Sequence, residues 1–98
     1  MPLHNPPHPG EFIESTYLEP FDVSHRKVAE LLDVSPSTFN RLVKGQSSIT
    51  PEMALRLSKT LGRTPESWLQ MQHNHDLWRA RKEVKLGRVK KLKISDAA

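Results

Sequence analysis

Three times in this chain a hydroxyl residue stands directly before a proline, at Ser35-Pro36, Thr50-Pro51 and Thr64-Pro65. A Ser or Thr oxygen satisfies the open N–H groups of a helix start, and proline, with its fixed φ and missing N–H, suits the first helical position. Each pair therefore predicts a helix beginning at its proline, and Pro9 marks a fourth start of the same kind. Gly45 and Gly62 stand where two of these helices would close. Helix starts spaced this closely leave little chain for strands.

The apolar residues between these marks repeat at three and four rather than two: Val28, Leu31 and Leu32; Phe39, Leu42 and Val43; Met53, Ala54, Leu57 and Leu61; Trp68, Leu69 and Met71. Helices are expected at 10–18, 24–32, 36–44, 51–61 and 65 to about 80, joined by short loops, in an all-α, five-helix domain. A chain of 98 residues supports one core. The expected organisation is a flexible arm at 1–8, rich in proline, a helix-turn-helix domain at 9–80, and a basic tail at 81–98 that is also a candidate dimerisation element. Val89, Leu92 and Ile94 alternate as in a strand, too briefly to predict one.

Composition narrows the function classes. With no Cys, disulfides, thiolate metal sites and a cysteine nucleophile are excluded, and a reducing compartment fits best. The first ten residues, MPLHNPPHPG, have neither a basic start nor an apolar run, and no stretch approaches the roughly twenty apolar residues of a membrane span. The expectation is a cytoplasmic protein without membrane contact. His4 and His8 lie in the proline-rich arm, and His73-x-His75 has only Asp76 beside it, so no metal site and no cofactor are expected. Net charge is +4, but residues 1–78 carry seven Lys/Arg against nine Asp/Glu, while residues 79–98 carry eight against two. The positive excess sits in the tail, where it suits a polyanion, an acidic partner or solvent.

Residues 24–45, SHRKVAELLDVSPSTFNRLVKG, form a unit: a capped helix of about two turns, a short turn at Asp33, Val34 and Ser35, and a second helix closed by Gly45. That is the plan of a helix-turn-helix. Ala29 is small where the helices would cross, and Val34 is apolar where the turn must plug the core. On the second helix Phe39, Leu42 and Val43 share one side; Ser37, Arg41 and Lys44 fall opposite, with Thr38 and Asn40 on the flanks. Hydroxyl, amide and guanidinium groups are the donors and acceptors that read base edges in the major groove, and the N–H groups of the helix start can receive a phosphate. A polar outer face by itself is ordinary solvated surface. The combined helix lengths, turn position and small crossing residue favour double-stranded DNA as its partner.

Two other classes draw on the same stretches of sequence. A nuclease could draw on His75, Asp76 and Arg79, but consecutive residues on a helix do not face one another, so no enzymatic activity is expected. A pure protein-interaction module would leave the outer-face residues indifferent to substitution, which a DNA reader would not.

Residues 9–78 resemble the HigA-type antitoxins, the VapI/HigA branch of the Xre/Cro-like helix-turn-helix repressors. The resemblance rests on HPGEFI at 8–13, VAELLDVSPSTFNRLVKG at 28–45, SITPEMALRLSKTLGRTPESWLQMQ at 48–72 and DLW at 76–78. His25 stands where many such proteins have Gln, and His73 and His75 fall in a segment often written NLQNAYDLW. The resemblance implies a homodimeric autorepressor that binds its own operator and neutralises a HigB-type, ribosome-dependent mRNA-cleaving toxin. A stand-alone Xre-family regulator without a toxin would look almost the same. Carried over by position, Ser37, Thr38 and Arg41 are expected on bases, Asn40, Lys44 and the helix start at Ser24, His25 and Arg26 near the backbone, and Ser35 and Pro36 among the DNA-binding residues.

Dimerisation has a separate motive, because half-sites about one helical turn apart call for a two-fold pair of small reading heads. Trp68, Met71, Leu77 and Trp78 give the fifth helix more apolar bulk than a peripheral helix needs, and they are the candidate dimer contacts. Trp68 is also a natural core residue.

Overall fold

The computed structural model describes residues 5–96; His4 and the rest of residues 1–4 of the expected arm, and residues 97–98 of the tail, lie outside the described residues. Helix α1, Pro9–Ile13, runs without a break into a π-helical stretch, Glu14–Leu18, in which the Glu19 N–H reaches five residues back to the Glu14 carbonyl at 2.9 Å. Then follow α2, His25–Leu32; α3, Pro36–Val43; α4, Pro51–Leu61; and α5, Pro65–Glu83, with one 3-10 turn at Ile94–Asp96. The fold is all-helical, as the spacing predicts.

The expected caps are made. Ser24 Oγ accepts from the Lys27 N–H at 3.1 Å, Ser35 Oγ from Thr38 at 3.1 Å, Thr50 Oγ1 from Met53 at 3.1 Å, and Thr64 Oγ1 from Ser67 at 3.0 Å. Each hydroxyl fixes the first turn of its helix and so sets the direction in which the apolar stripe faces. Those stripes converge on a single core of Ile13, Leu18, Val28, Ala29, Leu32, Phe39, Leu42, Ile49, Ala54, Leu57 and Trp68. Ala29 is fully buried, and Val34 packs against the same cluster from the turn.

Trp68 corrects one expectation. It is fully buried, its Nε1–H donates to the Gly62 carbonyl at 2.9 Å, and the rings of Phe12 and Tyr17 lie 6.0 and 6.3 Å away, so it closes the core and cannot meet a second copy. Met71 is partly buried against that core, Trp78 is half-buried beneath the Lys82 ammonium, and Leu77 is exposed. The fifth helix also runs past 80 to Glu83, so Arg81 and Lys82 are helical, not part of a tail. From Val84 to Ser95 every residue is exposed; Val89, Leu92 and Ile94 form no strand.

The last residues of the expected flexible arm are held. His8 caps α1: its Nδ1 accepts from the Gly10 N–H at 2.9 Å, and its Nε2–H donates to the Ser47 carbonyl at 3.1 Å. The His75 Nδ1–H of α5 donates to the Pro6 carbonyl at 3.0 Å, and its ring meets that of His8 edge-on at 5.2 Å. Pro9 then starts the helix, and Gly10 lies against the end of α3, where an added Cβ would come within 2.0 Å of the Leu42 carbonyl oxygen and 2.7 Å of that of Val43. No side chain fits there. The HPG triplet is thus a cap, a helix start and a close approach in three consecutive residues.

The cap also titrates. Burial lowers the His8 pKa below 6.5, and the neighbouring His75 lowers it further. Protonation would place a hydrogen on Nδ1, where the Gly10 N–H already points, so the charged ring cannot serve as the cap. The folded state therefore binds its proton more weakly than the unfolded chain, and this contribution to stability is full above pH 6.5 and lost as pH falls through the lowered folded value. His8→Asn, which can cap without titrating, is expected to flatten the fall in urea midpoint below pH 6.5 relative to the parent. Superimposable pH profiles for the two proteins would contradict it.

Candidate nucleic-acid interface

The turn between α2 and α3 is made by Asp33 in the left-handed conformation, φ 60°, which lets its N–H fold back on the Ala29 and Glu30 carbonyls while Val34 N–H takes Ala29 at 3.0 Å. Asp tolerates that region better than most residues with a Cβ. A second brace comes from α4. The Arg56 guanidinium donates to the carbonyls of Leu32 at 2.8 Å and Asp33 at 3.2 Å and is itself held by Glu52 at 2.8 Å. This cation meets the bare carbonyl end of α2, where the helix dipole favours it.

What remains outside is the far side of α3. Ser37, Arg41 and Lys44 are exposed, as are Ser35 and Pro36 at its start; Thr38 and Asn40 are half-buried on its flanks. Ser24 and Arg26, at the start of α2, are exposed too. Ser24 and Arg26 lie at the start of α2 and Ser35 to Thr38 at the start of α3, while Arg41 is in the last turn of α3 and Lys44 at its C-cap. Ser35 is more engaged than its exposure implies: its hydroxyl donates to Thr38 Oγ1 at 2.8 Å and lies 3.3 Å from Ser37 Oγ. The expectation of several free N–H groups at the α3 start is narrowed, because Pro36 has none and that of Thr38 belongs to Ser35.

His25 and Asn40 depart from expectation. His25 is half-buried, with its Nδ1 2.9 Å from Asn40 Oδ1 and its Nε2 2.6 Å from Glu14 Oε1, and its ring stands edge-on to Phe39 at 5.9 Å. Both ring nitrogens are committed inside the protein, so His25 ties α2 to its neighbours and is not a free contact.

Sequence reasoning passed over Glu14, Arg56, Glu52 and Gln72. Buried Gln72 takes the Ile49 N–H on its Oε1 at 2.9 Å and donates to Asp76 at 3.0 Å, pinning the α3–α4 loop to α5. Among the described residues no group of His, Asp and Glu could hold a metal ion, and no helix is long and apolar enough to cross a membrane.

The helix-turn-helix family profile matches residues 16–69. The chain is 38% identical over 92 residues to YddM, an HTH-type transcriptional regulator of Escherichia coli, covering 94% of this chain and 97% of that one. It superposes on antitoxin GraA with a TM-score of 0.86 at 32% identity, covering 92% of this chain and all of that one. It also matches the Pseudomonas aeruginosa antitoxin HigA solved with the higBA promoter, with a TM-score of 0.72 at 31% identity over 82% of this chain and 96% of that one.

Removing the guanidinium of Arg56 should leave two carbonyls at the turn to water alone. Arg56→Ala is expected to cost about 1 to 2 kcal/mol of folding stability, reduced from the value for a buried charged bond because the side chain is a third exposed. Chemical denaturation measures it, and an unchanged midpoint would show that the brace is idle.

Proposed function

The chain belongs to the helix-turn-helix family, among the relatives of the HigA antitoxins, and from that premise we propose that it is a sequence-reading DNA-binding repressor of its own operon. The observation that carries the reading is the exposed Ser37, Arg41 and Lys44 face of α3, on a helix whose other sides are buried, capped or braced. Arg41 is long enough to reach guanine O6 and N7 with both guanidinium arms, Ser37 offers a short hydroxyl at the helix start, and Lys44 supplies a cation for phosphate. Arg26 and Ser24 add a second backbone contact from α2.

The finer reading is that the protein works as a homodimer and as the antitoxin of a pair, neutralising a HigB-type toxin that cleaves mRNA on the ribosome. Relatives named as antitoxins support the toxin partner. An exposed Leu77 on α5, beside a shallow hollow lined by His73, Asp76, Leu77 and Ala80, supports a contact between copies. The protein acts by binding, with no chemical step of its own.

Mobility shift of the purified protein on the DNA upstream of its gene, at two salt concentrations, tests the reading. Binding should weaken with salt, because phosphate contacts release counterions, and Arg41→Ala should cost about 1 to 3 kcal/mol. A folded parent that shifts nothing would contradict DNA reading. Co-expression with the neighbouring gene product then tests the antitoxin: a toxicity that this chain relieves is expected, and a chain that binds DNA yet relieves none is a stand-alone regulator.

A further inference from the structure

Glu14, His25 and Asn40 form a chain of side chains across three elements: the π-helical stretch, the first residue of α2 and the flank of α3. A carboxylate only accepts, so the His25 nitrogen 2.6 Å from Glu14 Oε1 is a donor. The other ring nitrogen, Nδ1, lies 2.9 Å from Asn40 Oδ1, so the amide turns its carbonyl oxygen toward the ring. Both ring nitrogens are therefore engaged, one by the Glu14 carboxylate and the other by the Asn40 amide. The consequence falls on Asn40. Its carbonyl is turned inward and occupied, and among the described residues nothing accepts from its NH2 group.

Asn40 is three residues from Ser37 and four from Lys44, so these three side chains form one row along α3. An asparagine free to use both ends of its amide pairs with adenine N6 and N7; one whose carbonyl is taken can only donate. We propose that Glu14, acting through His25, positions Asn40 as a donor-only contact on DNA, toward a base-edge acceptor such as guanine O6 or N7 or toward a phosphate oxygen. This rests on the reading of α3 as the DNA-binding helix. It assigns a role in recognition to Glu14, a residue that touches no DNA itself.

The π-helical winding belongs to this arrangement. Its first residue is Glu14, and the same stretch buries Leu18 in the core, so the carboxylate is set on a segment that cannot slide without moving that leucine. The Phe39 ring, edge-on to His25, fills the space below the imidazole.

A double-mutant cycle in operator affinity tests the proposal, run well below the melting temperature, where a loss of stability alone leaves Kd unchanged. Glu14→Ala should weaken binding about three- to tenfold, as for the loss of one oriented hydrogen bond. Asn40→Ala should do the same, and the double variant should be no weaker than Asn40→Ala alone. Glu14→Gln keeps an oxygen that can accept from the ring and should bind close to the parent. Should Glu14→Ala fail to fold, His25→Ala takes its place in the cycle. A panel of operators with single base-pair changes separates the two acceptors: a preference lost at one base pair of each half-site marks a base edge, and uniform weakening marks a phosphate. Fold losses that multiply in the double variant, or a folded Glu14→Ala that binds like the parent, would overturn the inference while leaving the DNA reading in place. A folded parent that binds no DNA would overturn both.

Discussion

An eight-residue helix does not hold together in water by itself, since the cost of fixing its first turn is recovered by too few hydrogen bonds. Helix α3 therefore exists because it is gripped from several directions, and the rest of the molecule can be understood as that grip. Phe39 and Leu42 are sunk in the core, Ser35 caps the start, and the Asn40 carbonyl is tied to His25. At the other end Gly10 brings the backbone of α1 against the last carbonyls of the helix. One face is left out, and it is the face that carries Ser37, Arg41 and Lys44. A surface held this firmly arrives at its partner with little freedom left to lose, which favours tight and selective binding.

Residues 6–8 and helix α5 converge on the same grip. Pro6 and His8 dock on His75 of α5, His8 also holds Ser47 in the loop after α3, and Gln72 of α5 fixes Ile49 in that loop. Helix α5 thus meets α3 through the segment that follows it. A partner seated on α5 near His75 and Leu77 would lie next to the supports of α3, although the exposed face of α3 itself stays clear.

The helix starts were legible in the sequence because hydroxyl-proline pairs act locally, through one residue's φ and its neighbour's oxygen. The core was legible for a similar reason: Phe39, Leu42, Leu57 and Trp68 sit at helical spacing, and period alone assigns their side. Long-range polar contacts were not. His25 with Glu14 and Asn40, Arg56 with the α2 carbonyls, and Gln72 with Ile49 join residues 11 to 24 apart, and no local rule selects those partners. The end of α5 at Glu83 was not legible, because charged Arg81 and Lys82 suit a helix's last turn as well as a free tail. The His8 cap was missed because histidine caps a helix only as one neutral tautomer, which its surroundings decide.

The central claim is that the outer face of α3 is the surface that meets DNA. Its most direct test is an amide correlation spectrum of the labelled protein, titrated with a duplex taken from upstream of its own gene. The account predicts that the largest shifts fall on residues 37–44 and on residues 24–27, with the core and the first half of α5 little changed. Shifts confined to α5 and the basic segment beyond Glu83, with residues 37–44 unmoved, would contradict it.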